Sequence, residues 1–178
     1  MKISIRLLTE RDDRRAFRSG DVELDRFFQQ YAGQNQFRHH IGSTYIAVRE
    51  TSNLIAGFAT VAPAHVDDIP PGLRKNVAKY PLPVLRLARL AVSDDLRGEG
   101  IGEALLRFVF DLASRLADDY GCVGVLVDAK ANAESFYARY GFYRIEISHG
   151  ESGGRPRSVP MFLPIGAIRS SRKPGDRS

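Results

Sequence analysis

The sequence predicts a single α/β domain built on a mixed central sheet, and three observations support that prediction. Segments with strand-like alternation and segments with helical periodicity follow one another in the order β-α-β-β-β-α-β-α-β-β. A nearly continuous apolar run, Cys122 to Val127, has the composition of a central strand covered on both faces. A glycine-rich turn separates a long apolar strand from a long amphipathic helix, and at such a junction backbone N–H groups point outward. With 178 residues, 43% hydrophobic and 26% charged, the chain suits one domain with a sizeable core.

Each element has its own signal. Ile3, Ile5 and Leu7 alternate with Ser4 and Arg6, as on a half-buried first strand. A helix opens at Ser19-Gly20-Asp21, and its Leu24, Phe27, Phe28 and Tyr31 fall on one stripe at helical spacing. Thr44 to Arg49 and Leu54 to Val61 read as a hairpin joined through Thr51-Ser52-Asn53. Ile69 to Pro83, with four prolines, is an irregular crossing that holds at most one helical turn around Leu73 to Lys79. Val84 to Val92 is the fourth strand. Leu105, Val109, Leu112 and Leu116 then mark the buried face of a long helix that ends near Tyr120-Gly121. After the central run comes a short helix, Ala133 to Tyr140, stopped by Gly141. Phe142 to Ile147 and Val159 to Ile165 are the last strands, flanking a loop from Ser148 to Ser158. The domain is expected over 1–168, with 169–178 a basic, disordered tail.

Location of the charge matters more than its sum. The net charge is +5, of which the tail supplies +3 through Arg169, Arg172, Lys173 and Arg177 against Asp176. Between Ile69 and Ser93 lie Arg74, Lys75, Lys79, Arg86 and Arg89 with no acidic residue, a bias that suits an anionic substrate or a solvated loop face. No stretch reaches about 18 consecutive apolar residues, so none is expected to span a membrane. The alternating N-terminus does not read as a signal peptide, and the cytoplasm is the expected compartment. Cys122, the one cysteine, reads as a small buried thiol. His39, His40, His65 and His149 show no metal-ligand spacing, so no metal is expected.

The turn is Arg97-Gly98-Glu99-Gly100-Ile101-Gly102. Its small residues let backbone approach an anion at the positive end of a helix, which makes a phosphate or pyrophosphate site physically reasonable. It is not a Walker A loop, because no Lys and Ser/Thr follow. A dinucleotide fingerprint fails at Glu103 and would follow the first strand. Arg97, Gly100 and Gly102 do fit Arg/Gln-x-x-Gly-x-Gly/Ala after a fourth strand. About 35 residues on, Asn132-Ala133-Glu134-Ser135-Phe136-Tyr137-Ala138-Arg139-Tyr140-Gly141-Phe142 carries Phe-Tyr-x-x-x-Gly-Phe. Together, in this order and spacing, the two motifs resemble the GNAT superfamily of acetyl-coenzyme A-dependent N-acyltransferases.

That resemblance implies a GNAT-type domain whose fourth and fifth strands splay apart. It places the pantetheine arm of acetyl-coenzyme A on Leu90, Ala91 and Val92, and the pyrophosphate on N–H groups of Arg97, Gly98, Gly100, Ile101 and Gly102. A backbone N–H near Leu90 would stabilise the developing oxyanion. Tyr137 matches the family position whose phenol protonates the leaving thiolate; a phenol with pKa near 10 is protonated at neutral pH, and packing alone is the competing role. Asn132 matches a coenzyme A contact and would serve equally as a helix N-cap. No general base stands out: Glu50, Asp67, Asp68 and Asp128 are candidates by vicinity only. An α-amine, with pKa near 8 against about 10.4 for lysine, needs less help to attack and is the favoured acceptor.

Three further stretches extend the resemblance over nearly the whole domain. They are Phe17-Arg18-Ser19-Gly20-Asp21-Val22-Glu23-Leu24-Asp25-Arg26-Phe27, Arg89-Leu90-Ala91-Val92 and Pro160-Met161-Phe162-Leu163. They look like the GNAT toxins of toxin–antitoxin modules, which acetylate aminoacyl-tRNA and so block translation. The resemblance implies a ribbon-helix-helix antitoxin as partner and a homodimer. It assigns Lys79, Arg86 and Arg89 to substrate binding, with Arg155 and Arg157 adding positive charge from a late loop. Pairing of Arg86 and Arg89 with strand neighbours or with coenzyme A phosphates is the alternative. Two other functions remain open: acetylation of a small-molecule or protein amine, and a non-catalytic coenzyme A-binding regulatory module.

Overall fold

The computed structural model describes residues 1–68, 70, 72–73, 81–146 and 158–171. Seven strands follow the order β1-β2-β3-β4-β5-β7-β6 in a mixed sheet, with β4 and β5 parallel. The strands are β1 (Ile3–Leu7), β2 (Ser43–Arg49), β3 (Ile55–Val66), β4 (Leu82–Val92), β5 (Gly124–Lys130), β6 (Tyr143–Arg144) and β7 (Ser158–Pro164). The α-helices are α1 (Val22–Arg26), α2 (Ile101–Asp119), α3 (Glu134–Arg139) and α4 (Ile165–Ser170). The α/β class and mixed sheet expected from the sequence are those observed. None of the helices is long and apolar enough to cross a membrane, among the described residues. Two compact units make up the chain: Met1–Ala62 with Leu87–Val109, and Pro63–Arg86 with Phe110–Ser178.

In the first unit, β1 and β2 pair antiparallel from Ile3↔Arg49 to Leu7↔Tyr45, and β2 continues onto β3 with a bulge at Ala47/Val48. Asp21 caps α1 by accepting from the N–H groups of Glu23 and Leu24 at 3.0 and 3.1 Å. Two π-helical turns, Phe27–Tyr31 and Gln34–Arg38, then continue it. They change the expected apolar stripe. The Ala32 N–H donates to the Phe27 carbonyl, an i→i+5 bond that winds an extra residue into the turn. Phe27 and Phe28 are buried, whereas Tyr31 rotates outward to 46% exposure and Ala32 takes the inner position. Phe28 stacks on Phe58 at 4.3 Å and meets Phe17 edge-on at 4.9 Å, so three rings form the centre of this core.

In the second unit, β7 pairs with β5 from Gly124↔Pro164 to Lys130↔Ser158, and with β6 at Tyr143↔Phe162 and Arg144↔Met161. The central strand starts at Gly124, two residues later than the apolar run. A Cβ on Gly124 would lie 2.4 Å from the Leu163 carbonyl oxygen, so only glycine fits. Cys122 is buried before the strand and its thiol donates to the Gly124 carbonyl at 3.2 Å. β6 is shorter than the expected Phe142–Ile147: Ile145 N–H still reaches the Pro160 carbonyl at 3.0 Å, but Pro160 has no N–H to return. α4 had no sequence signal and crosses the expected boundary at residue 168. Its Arg169 guanidinium donates to the Ser114 carbonyl at 3.1 Å and to Asp118 at 2.7 Å, tying it to α2. Ile147, the Ser148–Ser158 loop short of Ser158, the turn around Lys79 and the tail from 172 lie outside the described residues.

Candidate active site

The glycine turn is a backbone device. Gly98 and Gly100 have φ of +83° and +78°, in the left-handed region that other residues rarely adopt. A Cβ at either position would meet nothing within 4 Å. Packing therefore does not require glycine here; the backbone turn does, and the space beside it stays open. Arg97 and Glu99 N–H groups donate back to Asp94 and Leu96 at 3.5 and 3.4 Å. No acceptor among the described residues takes the N–H of Gly98, Gly100, Ile101 or Gly102. These amides open a 19-residue helix, whose dipole adds positive potential at the same end. An anion of pyrophosphate character fits that donor set.

Arg97 has a different role from its glycine neighbours. Its guanidinium donates to the Ser19 carbonyl and pairs with Asp94 at 2.9 Å. Gly20, at φ +84°, lies beneath them, where a Cβ would approach Asp94 to 2.9 Å. The side chain thus buttresses the turn against the segment before α1. On the strand leading into the turn, Ala91 is buried while Leu90 and Val92 are half-buried. Gly57 lets β3 approach closely, since a Cβ there would come within 2.8 Å of the Ala91 carbonyl oxygen.

In the second unit, α3 carries Tyr137, which is only 5% exposed. Burial pushes its phenol above the ordinary tyrosine range, because the phenolate would lose its hydration. Phe136 and Phe142 meet the ring edge-on at 5.1 and 5.5 Å. Asn132 is exposed and does not cap α3: the cap position is Ala133, with no side-chain hydrogen bond.

Two of the three basic residues assigned to substrate, Arg86 and Arg89, are engaged by their own neighbours. Arg86 makes a hydrogen-bonded ion pair with Asp128, and Arg89 lies over the Phe27 ring at 3.8 Å. Lys79, Arg155, Arg157 and His149 lie outside the described residues. Of the candidate bases, Asp128 is therefore held by Arg86, Glu50 pairs with Lys2 at 3.0 Å, and Asp67 lies 4.0 Å from His65. Two features escaped the sequence, the bracing of Arg97 by Ser19 and Asp94 and the Phe142 contact, while the Arg86–Asp128 pair follows the alternative of pairing with a strand neighbour. For the Phe142 contact, the spacing of Tyr137, Gly141 and Phe142 was the available signal.

A family model for the acetyltransferase (GNAT) domain matches residues 16–162. The chain belongs to the GNAT acetyltransferases. The GNAT fold expected from the two motifs is thereby established, and acetyl-coenzyme A is the co-substrate of this family. A tRNA-acetylating toxin of Mycobacterium tuberculosis is 32% identical over 140 residues, covering 77% of this chain and 82% of the toxin. Among solved structures, AtaT complexed with acetyl-methionyl-tRNAfMet has a TM-score of 0.80 at 23% identity, over 95% of this chain and 98% of AtaT. A point mutant of AtaT bound to acetyl-CoA and the C-terminus of the antitoxin AtaR gives 0.75 at 24%, over 94% and 96%. At these identities the structural likeness concerns the fold.

Proposed function

We propose that this GNAT protein transfers acetyl from acetyl-coenzyme A to the α-amine of an aminoacyl-tRNA and so acts as a translation-blocking toxin. The observation that carries the reading is the 32% identity, over 77% of the chain, to a tRNA-acetylating toxin. The structural likeness to AtaT with acetyl-methionyl-tRNA supports it.

The chain's own residues divide the work. The amides of Gly98, Gly100, Ile101 and Gly102 hold the pyrophosphate. The β4 segment Leu90–Val92 orients the pantetheine arm, and an N–H near Leu90 faces the thioester oxygen as negative charge develops there. The neutral amine forms a C–N bond to the thioester carbon, and collapse of the adduct breaks the C–S bond. Tyr137 then gives its proton to the thiolate, and the proton released by the amine restores the phenol through solvent. The raised pKa keeps the phenol in the protonated form that an acid needs at neutral pH. Arg89, held over the neutral Phe27 ring, keeps its positive field for the acceptor stem, whereas the charge of Arg86 is offset by Asp128. A ribbon-helix-helix antitoxin, a second copy of the chain and a cytoplasmic site of action complete the proposal.

Label transfer from radioactive acetyl-coenzyme A tests it, offering charged tRNA, deacylated tRNA, lysine peptides and polyamines side by side. Label appears only on charged tRNA and is lost on mild alkaline deacylation. Label on peptides or polyamines instead keeps the acetyltransferase and overturns the substrate. Expression of the wild type slows growth, and Y137F relieves it.

A further inference from the structure

We propose that Phe142 is a positioning residue for the Tyr137 phenol, pressed against it by the helix cap at Gly141. The proposal rests on the reading of Tyr137 as the acid that protonates the leaving thiolate.

The end of α3 is a Schellman motif. The Phe142 N–H donates to the Tyr137 carbonyl at 3.3 Å, the Gly141 N–H donates to Ala138 at 3.1 Å, and Gly141 sits at φ +93°. This pair of bonds returns the chain over the last helical turn, and an apolar contact commonly closes between the residue after the glycine and the one five residues before it. Here those two residues are Phe142 and Tyr137, with rings 5.5 Å apart at 68°. The five-residue spacing from Tyr137 to Phe142 follows from the cap geometry.

Phe142 is itself fixed. It is 4% exposed and stands 6.0 Å from Phe110 of α2, while the next residue, Tyr143, is locked into register opposite Phe162 on β7. The Tyr137 ring therefore meets two rings edge-on, Phe136, its neighbour on α3, and Phe142, which is anchored to α2 and the sheet. Edge-to-face contact restricts the tilt of the phenol in a way an aliphatic side chain does not. Proton delivery depends on that tilt, because small misplacements of a reacting group cost rate steeply.

Single-turnover acetyl transfer to the amine that the wild type labels tests this in wild type, F142L, Y137F and the double variant, with acetyl-coenzyme A affinity measured separately. F142L slows transfer about tenfold, leaves acetyl-coenzyme A affinity within about twofold, and slows Y137F by less than about twofold. G141V, strained in the left-handed region, behaves like F142L, whereas G141N, which tolerates that region, recovers most of the rate. This second pair decides the matter if F142L fails to fold, since a Cβ at Gly141 meets only the Leu163 Cδ1 at 3.4 Å. Losses that multiply in the double variant, or a wild-type rate in F142L, overturn the positioning role while leaving the acid role intact. A wild-type rate in Y137F overturns both.

Discussion

Two glycine turns in this chain share a backbone conformation and use it in opposite ways. At Gly98 and Gly100 the left-handed residues sit in open space and the amides beyond them have no acceptor in the described structure. At Gly141 the same conformation folds the chain back on itself: its amide and that of Phe142 are both satisfied, and the ring of Phe142 closes on Tyr137. The first turn leaves open space and unclaimed amides, which the proposed function gives to the pyrophosphate of acetyl-coenzyme A. The second uses packing to hold one side chain still. A left-handed glycine thus identifies a sharp reversal of the chain; whether it marks a binding site depends on whether the neighbouring amides are already satisfied.

This contrast predicts that damage at the two turns is read in different quantities. Y137F has the largest effect, lowering kcat about a hundredfold, as removal of a general acid does, with acetyl-coenzyme A affinity nearly unchanged in equilibrium binding. The pH profile comes next. Because burial raises the Tyr137 pKa, the proton-bearing form persists to higher pH than in free tyrosine, and no falling limb appears below about pH 10. The rate instead rises about tenfold per pH unit towards the α-amine pKa near 8, then levels. A falling limb near neutrality would remove Tyr137 as the acid. G100V, strained at φ +78°, weakens acetyl-coenzyme A binding about tenfold in titration calorimetry while the saturated rate holds. R97A, which frees the turn from Ser19 and Asp94, has the smallest effect, about threefold in the same titration.

The elements carrying backbone signals were legible before the structure. The glycine turn, the long helix after it, the hairpin and the helix ended by Gly141 all announce themselves by residue type and spacing. What stayed hidden depends on side chains meeting across long separations in sequence. The contacts of the Arg97 guanidinium with Ser19 and Asp94 have no signal in the sequence, and although pairing with a strand neighbour is one sequence reading of Arg86, its partner Asp128 is identified only by the fold. The outward turn of Tyr31 was invisible because π-helical winding has no compositional signature. α4 lacked both cap residues and periodicity; its docking through Arg169 and the burial of Ile168 are tertiary.

The division of labour between the two turns is tested most directly by single-turnover transfer rates at varied acetyl-coenzyme A, measured in parallel for wild type, Y137F and G100V. Y137F should lower the plateau rate and leave the half-saturating concentration in place. G100V should raise that concentration and reach the wild-type plateau. If both variants move the same parameter, or if each moves the one assigned to the other, the two turns do not have separate roles and the account is wrong.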